Sequence, residues 1–452
     1  MRVQTNRIVV FLIVLPLPSC APARQREINR SSLQQIEPWV RINHDVGTQE
    51  FVNGNWFDGI GFVSKTMYAS NGVLRAVRPP KVDTTIDLRE GWVIPPFAEA
   101  HTHMLSGPGS VDPFRARYLK EGAFYIQVLG NRWSATNQIR ASFNTPCSLD
   151  VTWANGFLTS TLGHGFETGE SKARGWFDLA AALRDHEAEL KQSRVGENDA
   201  YWFIDSLADV DSKWPLILRQ HPDLIKITLV FSSDSGERAA GAPATWYAKG
   251  LRPQVVPAIV AKAHAAGLRV AAHVDTGHDI EVAVRAGVDI LAHNSGYGIP
   301  VGREDDFQVS EDVARLAGEH HTIVIPTAAT ESDFRAPRDT SGLERDLAVQ
   351  RENLRILSKY GSTIVVGTDM YGLTARAEVD ALRRLGIWSD AQLLKMWFTD
   401  TPRSIFPGRR IGRLADGYEA SFLVLGANPM ERPTAIDDIR LRVKQGCLVR
   451  KE

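Results

Sequence analysis

The sequence predicts an α/β protein: a (β/α)8 TIM barrel with a small β-sandwich domain built from both chain ends. Three observations carry this reading. Eight apolar strand candidates recur from Val93 onward, near residues 95, 126, 160, 227, 271, 290, 324 and 365, and helices separate the later ones. Strands alternating with helices give a parallel sheet with right-handed crossovers, and eight such units close into a barrel. Short apolar alternations flank this region on both sides, each too small to hold a core alone. The alternative is an open doubly wound sheet, but no Gly-x-Gly-x-x-Gly follows the first strand.

Composition fits that architecture. The 452 residues are 43% hydrophobic and 23% charged, with ample material for a barrel and a smaller partner. A formal net charge of −1 gives no bulk attraction for nucleic acid or an anionic membrane. Three cysteines, Cys20, Cys147 and Cys447, exclude a thiolate zinc cluster and a disulfide framework.

Arg2 and Arg7 precede the apolar run Ile8–Leu15, which is too short to span a bilayer as a helix. A basic start, a short apolar core and small residues near Ser19 read as an export signal over residues 1–20. Leu17-Pro18-Ser19-Cys20 resembles the lipobox of bacterial lipoproteins, in which the cysteine carries lipid. Ala21 follows where an aspartate would suggest inner-membrane retention, so the resemblance implies a periplasmic, outer-membrane lipoprotein held only through Cys20. A plain secretory signal is the alternative. Cys147 and Cys447 would then remain, free to pair in an oxidising periplasm if they meet.

Residues 21–45 are polar and read as a tether. From Phe51 to Val93, apolar alternations are broken by Asn53-Gly54, Asp58-Gly59, Asn71-Gly72 and Pro79-Pro80, as in a small antiparallel unit. Residues 46–92 and 405–452 are assigned to one composite β domain, and 93–404 to the barrel. Within the barrel, 130–156 read as polar and irregular, and Ala173–Gln192 as a helix. Helices are expected over Gln254–Ala266, stopped by Gly267, and over Ile280–Ala286, stopped by Gly287. Further helices are expected over Val309–Gly318, Leu343–Tyr360, Ala375–Leu385 and Ser389–Phe398, the last opened by the capping-box spacing Ser389-x-x-Gln392. Arg413–Leu425 and Ile439–Arg450 read as strands of the composite domain.

Side chains at the C-terminal ends of barrel strands converge on one mouth. There the sequence places His101 and His103 (strand one), His164 (three), Lys226 (four), His273 (five), His293 (six) and Asp369 (eight). So many polar groups at the ends of apolar strands are costly unless they share a purpose. Imidazoles and a carboxylate are ordinary ligands for zinc and related divalent ions. His101 and His103, two apart on a strand, face the same side. Lys226 sits among Leu224, Ile225, Ile227 and Leu229, where burial lowers an amine's pKa. A neutral amine reacts with CO2 to give a carbamate, an anionic ligand with two oxygens. The plainer alternative is a lysine paired with Asp205 or Glu167. Tyr371 reads equally as a mouth or a rim residue, and Glu167 and Glu170 as loop acids.

The order His-x-His, Lys, His, His, Asp resembles the amidohydrolase superfamily of metal-dependent hydrolases, over roughly residues 45–450. Val93–His103 is similar to that family's Pro-Gly-x-x-Asp-x-His-x-His segment, with Pro96 for the glycine and Glu99 for the aspartate. Ala271–Thr276, Ala286–His293, Thr399, Pro402, Gly412-x-Leu414-x-x-Gly417 and Asn428-Pro429 match its imidazolonepropionase-like and prolidase-like branch. Asp275 departs from the residue usual in prolidase-like members. The resemblance implies two divalent ions, zinc by donor type. His101, His103 and Asp369 would hold one, His273 and His293 the other, with N6-carboxylated Lys226 and a hydroxide bridging them. Asp369 would shuttle the proton, and His164 would stabilise the oxyanion. The implied substrate is a small amide, cyclic amide or peptide-like molecule. An esterase or lactonase would use the same site; a deaminase with one ion usually lacks the lysine. A barrel that binds without turnover is the rival from another class. The sequence leaves the oligomeric state open, a homo-oligomer included.

Overall fold

Five strands open the chain: β1 (Trp39–Arg41), β2 (Gln49–Phe57), β3 (Phe62–Ser70), β4 (Val73–Arg75) and β5 (Thr84–Ile94). Ten short strands follow: β6 (Phe97–Thr102), β7 (Ala123–Val128), β8 (Asp150–Trp153), β9 (Phe157–Thr159), β10 (Tyr201–Phe203), β11 (Ile225–Thr228), β12 (Val270–His273), β13 (Ile290–Leu291), β14 (Ile323–Val324) and β15 (Thr363–Ile364). β16 (Phe422–Leu425), β17 (Ile439–Lys444) and β18 (Cys447–Lys451) close the chain. The structure, a computed structural model, describes residues 39–41, 47–232, 247–330 and 339–451. The expected signal segment, Cys20 and all of the tether but 39–41 lie outside the described residues. Among the described residues no helix is long and apolar enough to cross a membrane.

Both chain ends share one mixed sheet, in the order β1-β18-β17-β16-β5-β2-β3-β4. β16 pairs antiparallel with β5, so residues from opposite ends of the chain share one apolar layer: Phe422 packs on Phe51 and Trp56, with ring centroids 4.9 and 5.0 Å apart. This joint core answers the shortage of apolar residues in each half.

The middle of the chain forms two parallel sheets, β6-β7-β8 and β10-β9-β11-β12-β13-β14-β15. Backbone bonds run between them. Asp223 N donates to Trp153 O (2.9 Å), beside the start of β11. At the far edge Ala100 N donates to Val366 O (2.9 Å) and Asp369 N to His101 O (2.8 Å), which brings the run after β15 against β6. In β11 and β12, Lys226 pairs with Ala271 and Thr228 with His273, so Lys226 and His273 share a sheet face.

Several elements differ from expectation. Residues 130–156 contain β8, hidden by its alternation of Asp150 and Thr152 with Val151 and Trp153. β10 is a further strand, only three residues long, so the parallel sheets hold ten strands where eight were counted. The expected Ala173–Gln192 helix begins only at Leu179, and a separate helix, Phe166–Ala173, precedes it. Gly175, at φ +80°, breaks the chain between them, and Asp178 caps the second by accepting from Ala181 N. Only Phe422–Leu425 of the expected 413–425 strand forms, because the chain turns at Gly417 (φ +78°). The Ser389–Gln392 capping box is present as expected.

Candidate metal centre

Strand geometry gathers the predicted residues. His101 lies on β6 and His103 just beyond it. His273 ends β12, His293 follows β13 by two residues, and Asp369 follows β15 by five. Donor atoms of His101, His103 and Asp369 all lie within 4.8 Å of one another. The Asp369 carboxylate is 3.2 Å from His101 Nε2, 3.0 Å from His103 Nε2 and 3.6 Å from His293 Nε2. Asp369 has φ +54°, in the left-handed region where non-glycine residues are uncommon. Such a conformation persists where the surroundings impose it, often at functional sites.

The second nitrogen of each of these imidazoles is already engaged. His101 Nδ1 meets Ala292 O at 3.0 Å, His103 Nδ1 meets Gly130 O at 2.6 Å, and His293 Nδ1 meets Thr327 Oγ1 at 2.7 Å. A carbonyl on Nδ1 requires the proton there, which leaves Nε2 with a lone pair for His101 and His103. His101 Nε2 is buried without a hydrogen bond, and so is Lys226 Nζ. Burial, with Asp369 opposing it, holds His101 well below the ordinary histidine value; burial likewise takes His293 well below it and His273 to about 3. Neutral imidazoles are the form a metal needs. Burial would raise Asp369, and the facing imidazoles of His101 and His103 lower it when they carry a proton. Burial also draws Lys226 down to about 8, against the pull of Asp369. The donor set and the two unpartnered buried nitrogens therefore fit divalent ions.

Neither plainer lysine partner forms an ion pair with Lys226. Asp205 accepts from Thr161 N and Oγ1, and Glu167 from Gly165 N. His273 and His164 adjoin the three-donor group without joining it. His273 packs on His293 (centroids 4.4 Å) and His164 lies over His273 (4.2 Å, 30° between planes). His273 Nε2 contacts Asp275 Oδ1 at 3.0 Å, which leaves Nδ1 as the atom it has to offer. Tyr371 is half-buried against Phe114 at the mouth.

Sequence reasoning placed Glu99 in a motif without giving it a role, and missed Asp279. Glu99 is fully buried on β6; it accepts from Thr368 N and Oγ1, both at 2.9 Å, and from His101 N at 3.2 Å. It thus fixes the approach to Asp369 from the first strand. Asp279 accepts from Phe231 N, Ser232 N, Asp275 N and Thr276 N and sets the loops after β11 and β12. The capping position Thr276-x-x-Asp279 was the one available signal.

No family model matches the chain. In sequence it is similar to imidazolonepropionase of Halobacterium salinarum, 28% identical over 154 residues, which is 30% of this chain and 36% of that protein. Imidazolonepropionase of Syntrophobacter fumaroxidans is 29% identical over 128 residues, 26% of this chain and 30% of that protein. The matches thus span about a third of these relatives. Among solved structures, an amidohydrolase has TM-score 0.65 and 21% identity, covering 90% of this chain and 99% of its own. A prolidase complexed with N-methylphosphonate-L-proline has TM-score 0.63 and 21% identity, covering 90% and 100%. Ochratoxinase of A. niger has TM-score 0.65 and 18% identity, covering 89% and 95%. These likenesses bear out the expected resemblance to the amidohydrolase superfamily and its fold.

Proposed function

We propose, from a fold shared with amidohydrolases and a converging His/Asp site, that this chain is a metal-dependent hydrolase of amide-type C–N bonds in small, peptide-like molecules. The carrying observation is the cluster of His101, His103 and Asp369, with His293 at its edge and the orphaned Lys226 amine beside it. In this reading eight of the ten parallel strands close as a (β/α)8 barrel, and the sheet from both chain ends folds over as the sandwich. His101, His103 and Asp369 would hold one ion and His273 and His293 a second, with Lys226 as its carbamate between them. The ions would supply an activated water at neutral pH and polarise the substrate carbonyl. Asp369, anionic among imidazoles, accepts the proton released as the new C–O bond forms. It returns that proton to nitrogen as the C–N bond breaks. His164, neutral because burial takes it to about 3, donates to the carbonyl oxygen as charge develops there.

We further propose that the chain works on the periplasmic side of a membrane, tethered through Cys20. Cys147 and Cys447 are bonded to each other, which supports an oxidising compartment.

The test is elemental analysis of purified protein, with turnover of N-acyl amino acids, dipeptides, cyclic amides and aryl esters. About two zinc ions per chain and cleavage of an amide are expected. Metal-replete protein that binds no ion overturns the reading, and so does one that cleaves only esters.

A further inference from the structure

Lys172 lies on the Phe166–Ala173 helix, which starts just past His164. Its ammonium stands 5.3 Å from the centre of the Tyr371 ring, and Tyr371 is two residues beyond Asp369. Phe114 also packs on that ring in a T-shaped contact (centroids 6.0 Å), which helps fix the platform. Lys172 is half-buried, and among the described residues no carboxylate lies within ion-pair distance of it. The carboxylate whose field reaches it is Asp369 itself. A cation–π contact is weaker than an ion pair and does not replace a counter-ion for a partly desolvated cation. The fold therefore holds, near the candidate proton shuttle, a lysine that has no ion-pair partner among the described residues.

We propose that Lys172, held over Tyr371, is the specificity-determining residue for a substrate carboxylate, so that the preferred substrates are anionic amides such as N-acyl amino acids. This rests on the hydrolase reading and deepens it. A carboxylate on the ammonium replaces water with a charge-assisted hydrogen bond in a partly desolvated place. Ligand binding then supplies the counter-ion that the protein lacks. The ring of Tyr371 limits where the ammonium can go, which lowers the ordering cost of binding. A lysine acts here as a point charge, so it tolerates variation in the rest of the acid.

The experiment uses a panel of N-acetyl amino acids, each beside its carboxamide, in two assays on wild-type protein, Lys172→Met and Lys172→Arg. Calorimetric binding is measured on protein both with and without added zinc, and turnover on zinc-loaded protein. The free acids are expected to bind wild-type protein about 10–100-fold more tightly than their carboxamides. Lys172→Met should erase that preference, mainly in KM, while Lys172→Arg keeps most of it. Higher salt should weaken the acids and leave the carboxamides alone. Equal binding of acids and carboxamides by wild-type protein, or a preference that survives Lys172→Met, overturns the proposal even if amides are cleaved. Lys172-dependent binding without turnover upholds it and removes the hydrolase reading instead.

Discussion

Replacing Lys444 by methionine should destabilise the protein by about 3 kcal/mol. Lys444 is fully buried on β17, with Nζ 2.8 Å from Asp150 Oδ2 and 3.8 Å from Glu419 Oε1. Arg409 reaches the same two carboxylates, 2.7 Å from Asp150. Two anions therefore face two cations where β8 meets the terminal sheet. Removing one member of a buried pair costs about 3–5 kcal/mol, because the partner stays desolvated. Arg409 remains, which selects the lower end. Methionine preserves the stem's length, so little cavity cost is added. Glu419 gives an independent check. Burial would raise it, yet Lys444 and Arg409 bring it from 4.5 to about 2. At about 1.4 kcal/mol per pKa unit that is about 3 kcal/mol shared between two cations, so roughly half is lost with Lys444 through Glu419 alone. Urea unfolding of disulfide-intact protein at pH 7 is the assay. Lys444→Met combined with Glu419→Gln should regain part of the loss, since one stranded anion is then gone. A single variant within about 0.5 kcal/mol of wild type refutes the reasoning, as does a double variant that is simply additive.

Four further outcomes are expected. Glu419 has a depressed pKa in the folded state, so its contribution is complete above about pH 5 and disappears as pH falls from 4.5 toward 2; unfolding free energy measured across that window should fall, and the gap between wild type and Lys444→Met should narrow with it. Lys226→Ala should lose at least one ion per chain and nearly all turnover, read by elemental analysis and product assay; full activity refutes a bridging role. Asp369→Asn should lower kcat at least 100-fold, from loss of proton shuttling and ion binding together, whereas an unchanged kcat removes Asp369 from the chemistry. Cys147→Ser should cost about 2–5 kcal/mol, since the bond closes a separation of 300 residues, and equal stability of the variant and the oxidised parent would show that the link constrains nothing.

Polarity at strand ends was enough to find His101, His103, His293 and Asp369, because an apolar strand closing on an imidazole is visible one residue at a time. Ser389 and Gln392 were visible for the same reason: a cap is a local pattern. β8 was hidden because Asp150 and Thr152 look like loop residues until Lys444, 294 positions away, neutralises the first. Glu99 could be aligned with a motif, but its partner Thr368 lies 269 residues further on. Its role depends on β6 meeting the run after β15, and no local pattern encodes that meeting. His273 shows the opposite failure: its position was legible, but the nitrogen it offers was decided by Asp275, whose contact depends on a rotamer.

Two stitches hold the last hairpin against the chain ahead of β8. Cys147 joins Cys447, and three residues along on each side Asp150 joins Lys444; Lys444 and Cys447 face one another across the β17–β18 turn. The two fastenings answer to different reagents. Thiols undo one and leave the other sewn, while acid loosens the ionic stitch and spares the sulfur. The hairpin therefore keeps one fastening when the other is lost, beside the pairing of β17 with β16.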